Sequence, residues 1–135
     1  MAHQVKREFS LDEVYLMPCG NPPHKTDGLA PKEMRLQMTQ LCTAGTDVNV
    51  LDFEVKKKGY SYTAETLEAL REKNPETDYY FIVGADTVFE LCTWHEFERL
   101  FELTKFICVR RQNHDNLKLS AEISHLQRNY GAQIL

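Results

Sequence analysis

At 135 residues the chain fits one domain and hardly two. Hydrophobic residues make up 42%, near the globular average, so a buried core is within reach. The net charge of −4 counts against a bulk nucleic-acid binder, which would be basic. No apolar run approaches the roughly 18 residues of a membrane span, and the opening "MAHQVKREFS" lacks the apolar centre of a signal peptide. The expectation is a soluble protein of a reducing cytoplasm, with no nucleic-acid partner and no membrane.

Val5 and Phe9, four apart, suggest an opening helix that Ser10 ends. "EVYLMP" is a short apolar run closed by proline and reads as a buried strand. After the loop "CGNPPHK", Pro31 suits the first turn of a helix. Met34, Met38, Leu41 and Cys42 then fall on the i, i+4, i+7, i+8 stripe expected to face a core, and Gly45 stops the helix. "VNVLDFEV" reads as a strand with its alternation broken at Val50-Leu51, and "KKKGYSY" as a loop. Thr63 can cap a helix running to Lys73, with Leu67 and Leu70 inward and Asn74-Pro75 ending it. "YYFIV" is a solid apolar strand ending at Gly84. Short helices over Thr87–Leu91 and His95–Leu103 lead to "KFICV", again solidly apolar, and a last helix over about Leu117–Arg128 precedes "AQIL". There is no internal repeat, low-complexity tract or linker.

The four cysteines, Cys19, Cys42, Cys92 and Cys108, form no C-x-x-C pair, so neither zinc nor dithiol chemistry is indicated. In apolar company such as Leu41-Cys42 or Ile107-Cys108 they read as small core residues.

Strands alternating with helices imply an α/β fold with a mainly parallel sheet covered on both faces. In such sheets ligands sit beyond the carboxyl ends of the strands. Three clusters occupy those places: Cys19 to Lys25, Gly84 to Asp86, and Arg110-Arg111. In the first, Pro22-Pro23 stiffen the turn, and Asn21, His24 and Lys25 are either donors for a phosphate or an ordinary polar turn. In the second, Gly84 permits close approach to the backbone, while Asp86 suits either a pair of ribose hydroxyls or an N-cap. Trp94, the single tryptophan, stands between Thr93 and His95 off any periodic face, and suits either ring stacking or core filling. Arg110-Arg111 can counter phosphates or be solvated.

Taken in order, "EVYLMPCGNPPHKT", "GYSYTAETLEAL", "YYFIVGADTVFELCTWHEFERL" and "KFICVRR" resemble the bacterial nicotinate mononucleotide adenylyltransferases over nearly the whole chain. The resemblance implies a doubly wound, Rossmann-like fold of the nucleotidyltransferase type. It also implies transfer of an adenylyl group from ATP to nicotinate mononucleotide, giving nicotinate adenine dinucleotide and pyrophosphate in NAD biosynthesis. By resemblance, Asn21, His24 and Lys25 face the mononucleotide and its phosphate, and Tyr62 and Thr63 the nicotinate carboxylate. Trp94 stacks on the pyridine ring with His95 beside it. Gly84, Asp86 and Arg111 lie on the ATP side, and Mg2+ arrives with ATP. A homo-oligomer is compatible with all of this.

The family pattern also opens with a strand and a glycine-rich loop of the G-G-x-F-D/N-P-x-H-x-G-H type, and carries an I-S-S-T-x-I-R segment near its end. Neither occurs here. Residues 1–135 are therefore expected to form a single nucleotidyltransferase domain incomplete at both ends, lacking the first central strand and the catalytic H-x-G-H group, with the chain alone inactive. Two alternatives stand beside this reading: a non-catalytic fragment with residual mononucleotide binding, and another nucleotidyltransferase of the same superfold.

Overall fold

The structure, a computed structural model, describes residues 1–23, 27–110 and 116–135. The chain divides into two compact units, Met1–Tyr62 and Thr63–Leu135.

In the first unit, α1 (Ala2–Glu8) buries Val5 and is tied to the turn before β2 by Asp47, which pairs with His3 Nδ1 at 2.6 Å and Lys6 Nζ at 3.4 Å. β1 (Tyr15–Leu16) runs parallel to β2 (Asn49–Val50), Tyr15 opposite Asn49 and Leu16 opposite Val50. Between them lies α2 (Lys32–Thr43), and after β2 comes a single turn, α3 (Phe53–Lys56).

Three expectations fail in this unit. Tyr15 and Leu16 are exposed, not buried, because a ladder of two pairs leaves its faces uncovered; Val14, just before the strand, is the buried member of "EVYLMP". The "VNVLDFEV" strand stops at the break in alternation, and "FEVK" forms a helical turn that buries Val55 and Glu54. Most telling is α2, where Met34, Met38 and Leu41 are 51%, 59% and 78% exposed and Cys42 is exposed as well. The side turned inward is the polar one, with Lys32, Arg35, Leu36, Thr39 and Thr43 half-buried. The reason is hydrogen bonding: Arg35 supplies donors to backbone carbonyls of the preceding loop, which would otherwise lose water without a replacement.

The second unit follows its pattern closely. α4 (Thr63–Lys73) is followed by β3 (Tyr80–Gly84), α5 (Ala85–Val88), a 3-10 turn (Leu91–Thr93), α6 (Phe97–Leu103), β4 (Lys105–Val109) and α7 (Asn116–Tyr130). The helix expected at Thr87–Leu91 thus begins two residues earlier, and the one expected from His95 begins at Phe97, where Glu96 turns the chain with φ +52°. β3 and β4 pair in parallel over five residues, from Tyr80 opposite Lys105 to Gly84 opposite Val109. "AQIL" adds a further parallel bridge, Ile134 opposite Phe106. α4 packs on α6 and α5 on α7. One apolar cluster joins Leu67, Val83, Leu91, Leu100, Phe101, Phe106, Leu119, Leu126 and Ile134. Parallel strands buried on both faces carry continuous apolar runs, and these two do. Among the described residues, no helix is long and apolar enough to cross a membrane.

Candidate functional site

Among the described residues, the loop that leaves β1 is held by several backbone and side-chain hydrogen bonds. Gly20 is buried, and a Cβ there would meet the Glu54 carbonyl and lie 2.7 Å from Ser61 Oγ, so only glycine lets the strands of chain approach this closely. Asn21 stitches the loop to residues 59–61 twice: its Nδ2 donates to the Gly59 carbonyl at 3.0 Å, and its own carbonyl accepts from the Ser61 N–H at 3.0 Å. From α2, the Arg35 guanidinium donates to the carbonyls of Ala30 (3.0 Å), Cys19 (2.5 Å) and Gly20 (2.7 Å). These bonds border a cavity of about 440 Å³ lined by Gly20, Asn21, Lys32, Arg35, Gly59 and Tyr60, among others. Lys32 Nζ donates to the Lys57 carbonyl at 3.3 Å.

Behind this wall, Glu54 and Ser61 are buried. Ser61 Oγ has no hydrogen-bond partner among the described residues. Burial, and then the Glu54 carboxylate, push the Cys19 thiol up to about 11. Cys19 is therefore a protonated thiol at neutral pH and no nucleophile.

Of the residues expected on the acceptor side, Asn21 lies on the cavity wall with one amide proton committed to Gly59. Tyr62 is half-buried, and its ring lies 6.4 Å from that of Tyr60. Thr63 is the first residue of α4, whose first-turn N–H groups have no partner within the helix. His24 and Lys25 lie outside the described residues, as does Arg111.

At the carboxyl ends of β3 and β4, Gly84 and Asp86 sit together, and a Cβ on Gly84 would lie 2.5 Å from Asp86 Oδ1. Asp86 is exposed and is not the N-cap of α5; Gly84 holds that position, without a side-chain cap bond, because the helix starts at Ala85. Burial raises the Cys108 thiol, with Arg110 lowering it and Asp86 raising it, so both charges lie near that strand end. Trp94 is half-buried against the core cluster, its ring edge-on to Phe81 with centroids 6.0 Å apart. His95 is exposed, its Nε2 3.8 Å from Glu96 Oε2. Among the described residues no group of three or more His, Cys, Asp and Glu is gathered to hold a metal ion.

Sequence reasoning missed Arg35, Glu54 and Ser61. A signal for Arg35 existed: Lys32, Arg35, Thr39 and Thr43 repeat at helical spacing as regularly as the methionine stripe does.

Parallel strands linked by helices, with small and charged residues at the strand ends, define a Rossmann-like fold of the nucleotidyltransferase type. The chain belongs to the cytidylyltransferase-like family, whose model matches residues 1–129. It is 43% identical over 116 residues to a probable nicotinate-nucleotide adenylyltransferase of Enterococcus faecalis, covering 84% of this chain and 53% of the relative. A probable nicotinate-nucleotide adenylyltransferase of Streptococcus pneumoniae is 43% identical over 114 residues, covering 82% of this chain and 54% of its own length. The chain thus spans about half the length of these relatives. Among solved structures, Plasmodium falciparum nicotinic acid mononucleotide adenylyltransferase complexed with NaAD superposes with a TM-score of 0.70 at 19% identity, over 90% of this chain and 63% of that one.

Proposed function

We propose that the chain belongs to an enzyme that transfers an adenylyl group from ATP to nicotinate mononucleotide in the cytoplasm, and that residues 1–135 are part of one nucleotidyltransferase domain. The observation that carries this reading is the set of bonds from Arg35 to Cys19, Gly20 and Ala30 and from Asn21 to Gly59, beside a cavity of about 440 Å³. Support comes from the relatives at 43% identity, named for this activity, and from the unbroken family match over residues 1–129.

The chemistry is a direct displacement. A 5′-phosphate oxygen of the acceptor attacks the α-phosphorus of ATP, a P–O bond forms, and pyrophosphate leaves with the bond electrons. No side-chain nucleophile is required, which agrees with a Cys19 thiol that stays protonated. Catalysis of this kind is positioning and charge stabilisation. Asn21, His24 and Lys25 hold the acceptor phosphate. The start of α4 at Tyr62-Thr63 holds the nicotinate carboxylate through backbone N–H groups and the helix dipole. Trp94 faces the pyridine ring with His95 beside it, and Gly84, Asp86 and Arg111 serve the ATP side. Mg2+ bound to the triphosphate neutralises its charge.

The 135 residues contain no H-x-G-H sequence to cradle the ATP phosphates. The chain by itself therefore binds acceptor and turns over far more slowly than a version carrying a family-type first strand and loop, a difference read as pyrophosphate release.

Calorimetric titration with nicotinate mononucleotide, nicotinamide mononucleotide and phosphopantetheine tests the assignment. Tightest binding of the acid mononucleotide is expected. Preference for phosphopantetheine would transfer the chain to another nucleotidyltransferase of the same fold, and preference for the amide would remove the carboxylate role of Tyr62-Thr63.

A further inference from the structure

We propose that Arg35 is a positioning residue for the acceptor, acting through Cys19, Gly20 and Ala30, whose carbonyls it holds; this rests on the function proposed above. Three observations converge on it. First, the guanidinium uses all three of its nitrogens on backbone carbonyls from both ends of one loop: Nε on Ala30, Nη1 on Cys19 and Nη2 on Gly20. The planar fork of arginine fits such a set, whereas lysine is a single point charge on a flexible stem. Second, α2 turns its polar side inward to make these bonds and leaves Met34, Met38 and Leu41 in solvent. Orientation of the whole helix is thus subordinate to the clamp, since burying three methyl-rich side chains would otherwise favour the opposite face. Third, one of the clamped residues is crowded from its other side. Gly20 is pressed against the Glu54 carbonyl and Ser61 Oγ, and its neighbour Asn21 is bonded to Gly59 and Ser61.

The consequence is a chain of contacts from Arg35 through Gly20 and Asn21 to Ser61, one residue before Tyr62. Both parts of the acceptor wall are held in one arrangement by a side chain of α2 that borders the same cavity. Loss of the clamp leaves three carbonyls without their donors, and the loop must find other arrangements before ligand can bind. The apparent affinity then falls in proportion to the fraction of time that Gly20 and Asn21 hold the binding arrangement.

Two variants and two readouts test this. Arg35→Ala is expected to weaken nicotinate mononucleotide binding by about tenfold or more, equivalent to roughly 1.4 kcal/mol, and Arg35→Lys to fall between it and the unchanged chain. Millimolar methylguanidinium is expected to restore part of the affinity of Arg35→Ala, which a general loss of stability would not allow. Amide exchange supplies the second readout: the Ser61 N–H, bonded to Asn21, exchanges faster in both variants, while the Phe106 N–H, bonded to Gln133 in the other unit, is unchanged. If the unchanged chain does not bind nicotinate mononucleotide, the functional reading falls and this proposal with it. If it binds and both variants bind equally well with Ser61 exchange unaltered, Arg35 is an ordinary surface-helix residue and only this proposal is overturned.

Discussion

Each unit of the chain is stabilised internally by a different kind of force. Thr63–Leu135 is organised around apolar contact: Phe106, Leu91, Leu100, Leu119 and Leu126 are almost wholly buried, and two solid strands pair over five residues. Met1–Tyr62 buries few large apolar side chains (Val5, Val14 and Val55 among the described residues) and exposes Tyr15, Leu16, Met34, Met38 and Leu41. Its arrangement rests on directed hydrogen bonds: Arg35 on three carbonyls, Asn21 on Gly59, Asp47 on α1. Non-directional burial can hold a scaffold, but a loop meant to present a fixed set of groups needs directed bonds. Substitutions in the second unit should therefore change stability first, and those in the first unit should change recognition first.

The largest effect tests the scaffold. Phe106→Ala removes a fully buried ring from the centre of the cluster and is expected to cost about 3–5 kcal/mol in a denaturant titration. The matching change on the exposed face of α2, Met38→Ser, is expected to stay within about 0.5 kcal/mol. A large cost at Met38 would break the comparison, because that face would then be packed in solution.

Gly20→Ala comes next. The added methyl meets the Glu54 carbonyl and Ser61 Oγ, and overpacking of this kind costs about 1–3 kcal/mol. Acceptor binding should fall by more than stability accounts for, since the displaced residue adjoins Asn21. Unchanged affinity with reduced stability would make the loop a structural turn only.

Trp94→Ala separates the two uses of that ring. Its edge-on contact with Phe81 makes it part of the core, and a face given to the pyridine would add about 0.5–1.5 kcal/mol of acceptor affinity. Loss of stability with acceptor affinity unmoved would assign Trp94 to the core alone.

The smallest effect concerns Asp47. A hydrogen bond from His3, helped by Lys6, holds its carboxyl below the usual carboxylate range. A carboxyl depressed in the folded state contributes stability above its ordinary pKa, near 4, and loses it as pH falls through the folded value. Asp47→Asn should therefore lower the thermal midpoint slightly at neutral pH, with the gap to the unchanged chain closing below about pH 4. A gap that widens on acidification would contradict the pairing.

The same contrast explains what could be read in the sequence. "YYFIV", "KFICV" and the helix from Thr63 to Lys73 were legible because continuous apolar runs and the Asn74-Pro75 stop leave local marks, although Thr63 opens that helix and does not cap it. The inward face of α2 was not. Its apolar stripe and its polar stripe have the same period, and the choice between them is made by carbonyls at Cys19, Gly20 and Ala30, in twelve residues of sequence that carry no periodicity. Likewise "VNVLDFEV" has strand composition throughout, yet the chain turns helical after its break and buries Glu54 behind the site. Glycine and asparagine at positions 20 and 21 were visible as a candidate loop, but the groups that fix them, Arg35 and Ser61, lie 15 and 40 residues away in the chain and left no local mark.

The central claim is that the loop of Cys19 to Ala30, together with the stretch from Gly59 to Tyr62, receives a pyridine mononucleotide. Amide hydrogen exchange of the unchanged chain, with and without nicotinate mononucleotide, tests it most directly. The account predicts slower exchange at Gly20, Asn21, Ser61 and Tyr62 when the mononucleotide is present, with the paired strands β3 and β4 unaffected. Saturating ligand that leaves those four amides unchanged, or protects only residues on α7, would contradict it.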